Sequence, residues 1–176
     1  MAAPAPAHLT KSPAYRLGAL MLLAMLAAIV AALGFEYVGG YVPCPLCLQQ
    51  RYAYYFGIPA TFLALVLASS GRPRGAGLVL LAVAVAFLGN AGLGVYHAGA
   101  EWKLWPGPET CSGALGRLGT GQGGLLKDLA QVRVVRCDEA AWRLFGLSFA
   151  GWNVAISFLL FVAGLQAAGA AVRRAG

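Results

Sequence analysis

The residues best suited to chemistry in this chain stand in one short stretch that contains a pair of cysteines and an arginine. Cys44 and Cys47 are separated by Pro-Leu, and Arg51 lies four positions beyond Cys47, at the start of an apolar run. If that run is helical, Cys47 and Arg51 lie one turn apart on the same face. A guanidinium beside a thiol at a helix N-terminus favours the thiolate, the form that attacks disulfides and electron acceptors. The stretch predicts a reactive thiol pair.

A second pair of cysteines, Cys111 and Cys137, lies in a long polar segment. Two pairs are compatible with structural disulfides, a four-thiolate metal site or a redox relay. Zinc is disfavoured because the second pair lacks the close spacing of a zinc knuckle. A bridge between Cys44 and Cys47 closes too small a loop to add much stability. The residues favour a relay, and the alternative is a non-catalytic membrane protein whose outer loops are stapled by disulfides.

The elements that must position these cysteines are blocks of apolar residues. Hydrophobic residues make up 60% of the chain and charged residues 11%, and the mean hydropathy is +0.71. A helix of about 20 apolar residues crosses a bilayer, and four blocks reach that length. The sequence predicts an all-α integral membrane protein, a single domain over residues 1–176 that forms a bundle of four transmembrane helices, with spans at about residues 17–35, 52–70, 75–96 and 148–171.

The charged residues predict which way the helices run. The net charge of +7 is unevenly distributed. Six basic residues without acidic neighbours flank one set of span ends: Lys11, Arg16, Arg72, Arg74, Arg173 and Arg174. By the positive-inside rule, both termini are cytoplasmic and the loops at 36–51 and 97–147 are on the outer side. The basic charge is therefore topological and does not predict binding to nucleic acid. All four cysteines then face an oxidising compartment, which permits them to pair.

The two outer loops differ in length and in expected mobility. In the first, Tyr37 and Tyr41 suit the membrane interface, so the cysteines are expected at a depth that a lipophilic molecule reaches. A quinone fits, because one thiolate can donate electron density to the ring while Arg51 stabilises the negative charge that develops. In the second, residues 125–135 predict a short helix on the membrane surface. Cys111 and Cys137 flank this helix, so a bridge between them would be exposed and labile.

Polar and aromatic residues near the outer span ends carry further expectations. Asn90 is expected to hydrogen-bond across a helix interface. Tyr52, Tyr54 and Tyr55 predict an interfacial belt. His97 is expected to be a solvated imidazole at the interface, and its functional alternative is a hydrogen-bond donor or proton handler near whatever the cysteines reduce.

Several short motifs, taken together, resemble one known family. They are Cys44-Pro45-Leu46-Cys47 with Arg51, Tyr96-His97 at the end of span three, Trp105-Pro106-Gly107-Pro108 ahead of Cys111, and Cys137 followed by Trp142, Gly146-Leu147-Ser148 and Trp152-Asn153. The chain resembles the bacterial disulfide-bond formation protein B (DsbB) family over essentially its whole membrane region.

The resemblance implies a dithiol:quinone oxidoreductase of the bacterial inner membrane that reoxidises a periplasmic thioredoxin-fold partner of the DsbA type. By analogy, Cys111 forms the mixed disulfide with the partner, and Cys137 passes electrons to Cys44. Cys47 would lie against the quinone, either ubiquinone or menaquinone, with Arg51 and His97 lining the ring site. Some members of the family carry an acidic residue immediately before the arginine. Here that residue is Gln50, and no proton-transfer role is expected for it.

Overall fold

The structure is a computed structural model that describes residues 12–107 and 137–173. Four long helices account for most of these residues: α1 Pro13–Tyr37, α2 Pro45–Ser69, α3 Pro73–Glu101 and α4 Phe149–Arg173. Each is long and apolar enough to cross a membrane. The predicted all-α, four-helix membrane fold is confirmed. The expected surface helix at 125–135 lies outside the described residues.

The four helices form a bundle in which sequence neighbours are also neighbours in space. α3 packs most extensively against α4 and then against α2, while α1 contacts both α2 and α4. α2 and α4 face each other across the bundle and touch little. Because successive helices alternate in direction, α1 and α3 end where α2 and α4 begin. We call this end of the bundle the cysteine end.

The helices extend beyond the apolar runs at the cysteine end. α1 continues to Tyr37 and α2 begins at Pro45, so only a short segment remains from the loop predicted at 36–51. Proline suits the first helical position because its φ is already helical and its missing N–H would have no partner there. α3 likewise continues through His97 to Glu101. Hydropathy does not predict that these terminal turns are helical, because they contain polar side chains. Those side chains have hydrogen-bond partners inside the bundle.

The bundle core combines an apolar centre with a layer of polar contacts. Phe87 and the methionines Met21 and Met25 are almost fully buried in the centre. Above them, the Asn90 amide donates to the Ser157 hydroxyl at 2.9 Å, which confirms the expected hydrogen bond between helices. The Tyr54 hydroxyl donates to Asn153 Oδ1 at 2.8 Å. Tyr54 is therefore a buried packing residue, and its assignment to an interfacial belt was wrong.

A two-stranded hairpin leads into α4. Strands β1 (Arg143–Leu144) and β2 (Leu147–Ser148) pair antiparallel. Phe145 and Gly146 connect them with φ values of 52° and 81°, as a type I′ turn requires at both central residues. The hairpin holds the chain across the cysteine end, so that Trp142 and Phe149 stack with ring centroids 4.9 Å apart.

The close approach of α3 and α4 provides a test of the packing. A Cβ added at Gly164 would lie 2.9 Å from Ala84 Cβ and 3.3 Å from Ala84 Cα, whereas a Cβ at Gly89 would meet nothing within 4 Å. Gly164→Ala is expected to lower the free energy of unfolding in detergent by about 1–3 kcal/mol, because the helices must separate. Gly89→Ala is the matched control and is expected to lose no stability. Equal stability of the two variants would contradict this packing.

Candidate functional site

The first cysteine pair lies at the N-terminus of α2. Cys44 is the N-cap residue, and its Sγ accepts a hydrogen bond from the backbone N–H of Cys47 at 3.3 Å. The Cys44 thiol donates to Cys47 Sγ at 3.0 Å, well beyond the bond length of about 2.05 Å in a disulfide. The two sulfurs are not bonded to each other, and they lie within one turn at the start of α2, as the spacing predicted.

A third cysteine from the distant loop packs against this pair. Cys137 is 7% exposed and forms a small buried cluster with Cys44 and Leu46. The adjacent residue Asp138 anchors the segment, because Lys103 Nζ donates to its carboxylate at 2.6 Å and to its carbonyl oxygen at 2.9 Å. This contact brings a residue of each predicted cysteine pair together. Cys111 lies outside the described residues.

The environment of Cys44 and Cys137 favours their protonated forms. The hydrogen bond to Cys47, followed by burial, raises the pKa of Cys44 to about 12. Burial raises the pKa of Cys137 to about 11. Since the thiolate is the attacking form, both sulfurs must lose a proton in any exchange at neutral pH. A group that removes protons is therefore needed beside them.

His97 is placed to handle such a proton. Its side chain is only 2% exposed, and its Nε2 lies 3.5 Å from Cys44 Sγ. Its Nδ1 lies 3.0 Å from the Gln50 side-chain nitrogen. The expectation of a solvated interfacial imidazole was wrong, because α3 continues a full turn past His97 and covers it. The alternative that the sequence offered, a hydrogen-bond donor or proton handler near whatever the cysteines reduce, stays a prediction.

Arg51 has a partner that the sequence did not identify. Its guanidinium donates to the carboxylate of Glu36 at the end of α1, and the two side chains are 12% and 22% exposed. Arg51 lies one helical turn beyond Cys47, as predicted, but in the described residues no hydrogen bond joins it to a sulfur. The ion pair fixes the guanidinium beside the site and ties α1 to α2.

A cavity of about 390 Å³ opens between the four helices at the cysteine end. Most of its lining is apolar, and the rings of Phe35, Trp142 and Phe149 pack together along one side. The polar groups of the lining include Cys44, Cys47, Gln50, Arg51, His97 and Glu101. An apolar cavity with a few convergent polar groups is typical of a small-molecule site, and its volume falls in the range for such sites.

The thiols and the imidazole also invite a test for a metal site. Cys44, Cys47 and His97 offer ligand atoms that lie within 4.8 Å of one another. Two thiolates on a tetrahedral zinc, each at about 2.3 Å from the metal, would lie about 3.8 Å apart. The observed sulfur separation of 3.0 Å is shorter and corresponds to a hydrogen bond between thiols. We assign no metal to this cluster.

Three polar residues of the site were not identified from the sequence as functional. Gln50 contacts His97, Glu36 pairs with Arg51, and Glu101 Oε1 lies 3.7 Å from His97 Nε2. The spacing of His97 and Glu101 is i,i+4, which places two side chains on one face of a helix. From that spacing, a contact between His97 and Glu101 could have been predicted. No local pattern pairs Glu36 with Arg51, because the two residues lie on different helices.

These features define a class: a multi-pass helical membrane protein with a buried thiol pair on the wall of an apolar cavity. Residues 15–167 match the family model described as Disulfide bond formation protein DsbB. The chain belongs to the DsbB family, and it is a disulfide-forming redox protein of bacterial membranes. The resemblance inferred from the motifs is confirmed.

Curated relatives support this assignment over most of the chain. The chain is 32% identical to Disulfide bond formation protein B of Verminephrobacter eiseniae, with 83% of this chain and 78% of the relative covered. It is 32% identical to the protein of the same name from Marinobacter nauticus, with 83% and 86% covered. It is 34% identical to that from Methylococcus capsulatus, with 82% and 85% covered. No solved structure matches the chain significantly.

Proposed function

We propose that this protein is a quinone-dependent thiol oxidase that reoxidises a periplasmic thioredoxin-fold protein of the DsbA type. The observation that carries the proposal is the position of Cys44 and Cys47 on the wall of the apolar cavity. A dithiol in that position is next to a space that a flat, lipid-soluble molecule fits. The contact between Cys137 and Cys44 adds a route by which electrons reach the pair from the outer loop.

The proposed electron path has three steps, each a two-electron exchange. The reduced partner attacks the disulfide between Cys111 and Cys137 and leaves oxidised, so that this loop pair becomes a dithiol. Cys137 then attacks the disulfide form of the Cys44/Cys47 pair at Cys44, the sulfur it contacts, and Cys47 leaves as a thiolate. Cys111 attacks Cys137 in the resulting mixed disulfide, which restores the loop disulfide and releases Cys44. Cys44 and Cys47 become a dithiol, which returns to the disulfide when it passes two electrons and two protons to the acceptor in the cavity.

The residues of the cavity fit a quinone, which when bound supplies a two-electron, two-proton acceptor. The side chains of Phe35, Trp142 and Phe149 offer an apolar surface for a ring. Arg51 carries a permanent positive charge that stabilises negative charge developing on a ring oxygen. His97 Nε2 is within reach of the Cys44 proton. Both ubiquinone and menaquinone are compatible with this set.

The proposed orientation in the inner membrane has cytoplasmic termini and periplasmic cysteines. It is supported by Arg72 and Arg74 at the turn between α2 and α3 and by Arg173 at the end of α4, all at the end of the bundle opposite the cysteines. Positive charge is retained on the cytoplasmic side. The cysteine end then meets the oxidising compartment, where a soluble thioredoxin-fold partner is accessible.

The alternative of structural staples gains no support from the first pair. Cys44 and Cys47 lie within one turn at the start of α2, so a bridge between them joins no two elements. Beside a cavity and a buried imidazole, the pair has the surroundings of a redox centre.

The proposal is tested with the full-length protein in liposomes that contain a quinone, supplied with a reduced thioredoxin-fold dithiol protein. We expect one quinol to form for every two donor thiols lost, measured by quinone absorbance and thiol titration under anaerobic conditions. Protein alkylated in the reduced state is the control and is expected to be inactive. Wild-type protein that forms no quinol, and whose cysteines stay oxidised with the donor, would support the staple alternative instead.

A further inference from the structure

Glu101 is a buried carboxylate to which the proposed function assigns no task. It lies at the end of α3, is 8% exposed and lines the cavity. Its Oε1 is 3.7 Å from His97 Nε2, and its Oε2 has no hydrogen-bond partner in the part of the chain that the structure describes. Burying an incompletely paired carboxylate is costly. A side chain that served packing alone would avoid that cost.

His97 connects this carboxylate to the thiol pair. Its Nε2 faces both Cys44 Sγ, at 3.5 Å, and Glu101 Oε1, at 3.7 Å. With the Gln50 amide oriented so that its nitrogen donates to Nδ1, the proton of the neutral imidazole is on Nε2. In an imidazolium, the Nδ1–H would point at the Gln50 amide nitrogen, so that two hydrogen-bond donors would face each other. In that tautomer, Glu101 Oε1 faces the Nε2–H of a neutral ring.

We propose that Glu101 is a proton-relay residue that receives the Cys44 proton through His97 and returns it to the acceptor in the cavity. The relay rests on the proposed quinone-dependent function. The Nε2 proton moves to Glu101 Oε1, and the vacated Nε2 accepts the proton of the Cys44 thiol. The result is a Cys44 thiolate, a neutral His97 and a protonated Glu101, so that charge and protons balance.

The remaining atoms and electrons of the turnover are also accounted for. Forming the bond between Cys44 Sγ and Cys47 Sγ releases two electrons, which reduce the quinone. The quinol needs two protons. One is the Cys44 proton held on Glu101, and the other is the proton of Cys47, which also lines the cavity. The disulfide and the quinol are the only products.

Other charged and titratable groups around the cavity bear on any pH dependence. Those that line it from α1, α2, α3 and the segments beside the helices are Glu36, Tyr41, Cys44, Cys47, Arg51, Tyr54, His97, Glu101 and Glu139. Glu36 is held by Arg51. Glu139 is also a glutamate in the lining of the cavity, but among the described residues the carboxylate oxygen 3.7 Å from His97 Nε2 belongs to Glu101. Glu139 is thus a matched control.

The test uses full-length protein reduced in advance and mixed anaerobically with a short-chain quinone, so that quinol formation is followed in a single turnover without the soluble partner. Glu101→Gln is expected to slow quinol formation about 10²-fold, the lower range for lost acid–base catalysis. Its quinone concentration dependence is expected to be unchanged. Glu139→Gln is expected to slow quinol formation far less than Glu101→Gln, and Glu101→Asp is expected to recover part of the lost rate.

A chemical rescue separates proton transfer from a structural role. In Glu101→Ala, added acetate is expected to restore quinol formation in a concentration-dependent way, because a small carboxylate can enter the space left beside His97. Glu139→Ala is expected to show no response. Equal rates for Glu101→Gln and Glu139→Gln, or no rescue by acetate, would overturn the relay. If the wild-type protein still formed quinol, the proposed function would stand. A wild-type protein that forms no quinol would overturn both.

Discussion

Cys47→Ser is expected to abolish quinol formation from the reduced protein, with a loss of about 10⁴-fold or more, the scale on which removal of a catalytic nucleophile acts. Cys47 is the partner with which Cys44 forms a disulfide, and its sulfur accepts the Cys44 hydrogen bond at 3.0 Å. Without it, Cys44 has no second sulfur on the cavity wall with which to form a disulfide, because Cys137, which it also contacts, does not line the cavity. Single-turnover absorbance of the quinone measures the loss. A rate within tenfold of wild type would contradict the proposed path.

A matched pair of double variants tests the order of the cysteines in that path. Cys47→Ser/Cys111→Ser keeps Cys44 and Cys137, which pack together in one buried cluster. Cys44→Ser/Cys111→Ser keeps Cys47 and Cys137. Treated with glutathione disulfide, the first variant is expected to form its internal disulfide faster than the second, as followed by mass spectrometry of non-reduced peptides. The reverse order would assign the exchange with Cys137 to Cys47.

The membrane spans could be predicted from sequence because each depends on a local property. An uninterrupted apolar block longer than the bilayer core has few alternatives to a spanning helix. The ends of the helices follow a different rule. Gln50 and Arg51 stand outside the apolar block of α2, yet they are helical because His97 and Glu36 satisfy them. Such partners lie on other helices, and hydropathy does not report them.

The burial of His97 also could not be predicted from local sequence. An imidazole next to the end of an apolar run is usually solvated, and only the family resemblance, which placed His97 at the ring site, argued for another state. Its burial results from a tertiary arrangement in which α3 extends to Glu101 and α2 presents Cys44 and Gln50 to the ring. The i,i+4 spacing of His97 and Glu101 indicates a shared face. It does not indicate that this face is turned inward.

One contact between cysteines could be predicted from local spacing, and another depends on the fold. The Cys-x-x-Cys spacing at the start of a helix predicts that Cys44 and Cys47 are close, and they are. The contact of Cys137 with Cys44 spans a long chain separation and depends on Lys103 holding Asp138 at the end of α3. The position of Arg51 one helical turn beyond Cys47 could be predicted from the spacing of the two residues. Its ion pair with Glu36 could not, because Glu36 lies on another helix.

Arg51→Gln is expected to raise the apparent KM for quinone about 10- to 100-fold, because a hydrogen bond to a charged group contributes about 1.5–3 kcal/mol. The guanidinium lines the cavity and is held there by Glu36, so its loss removes the permanent positive charge from the acceptor site. Oxidation of the soluble donor by the loop cysteines, measured in one turnover without quinone, is expected to be unchanged. Equal losses in both measurements would indicate a folding defect.

Glu36→Gln separates the charge of Arg51 from the ion pair that it forms. Removing the carboxylate leaves a partly buried guanidinium without its partner and is expected to lower the free energy of unfolding, since breaking such a pair costs stability. The positive charge in the cavity remains and is no longer neutralised, so the apparent KM for quinone is expected not to rise. If Glu36→Gln raised the KM as much as Arg51→Gln, the ion pair would act through the shape of the cavity. A rise confined to Arg51→Gln would identify the guanidinium charge as the group that binds the acceptor.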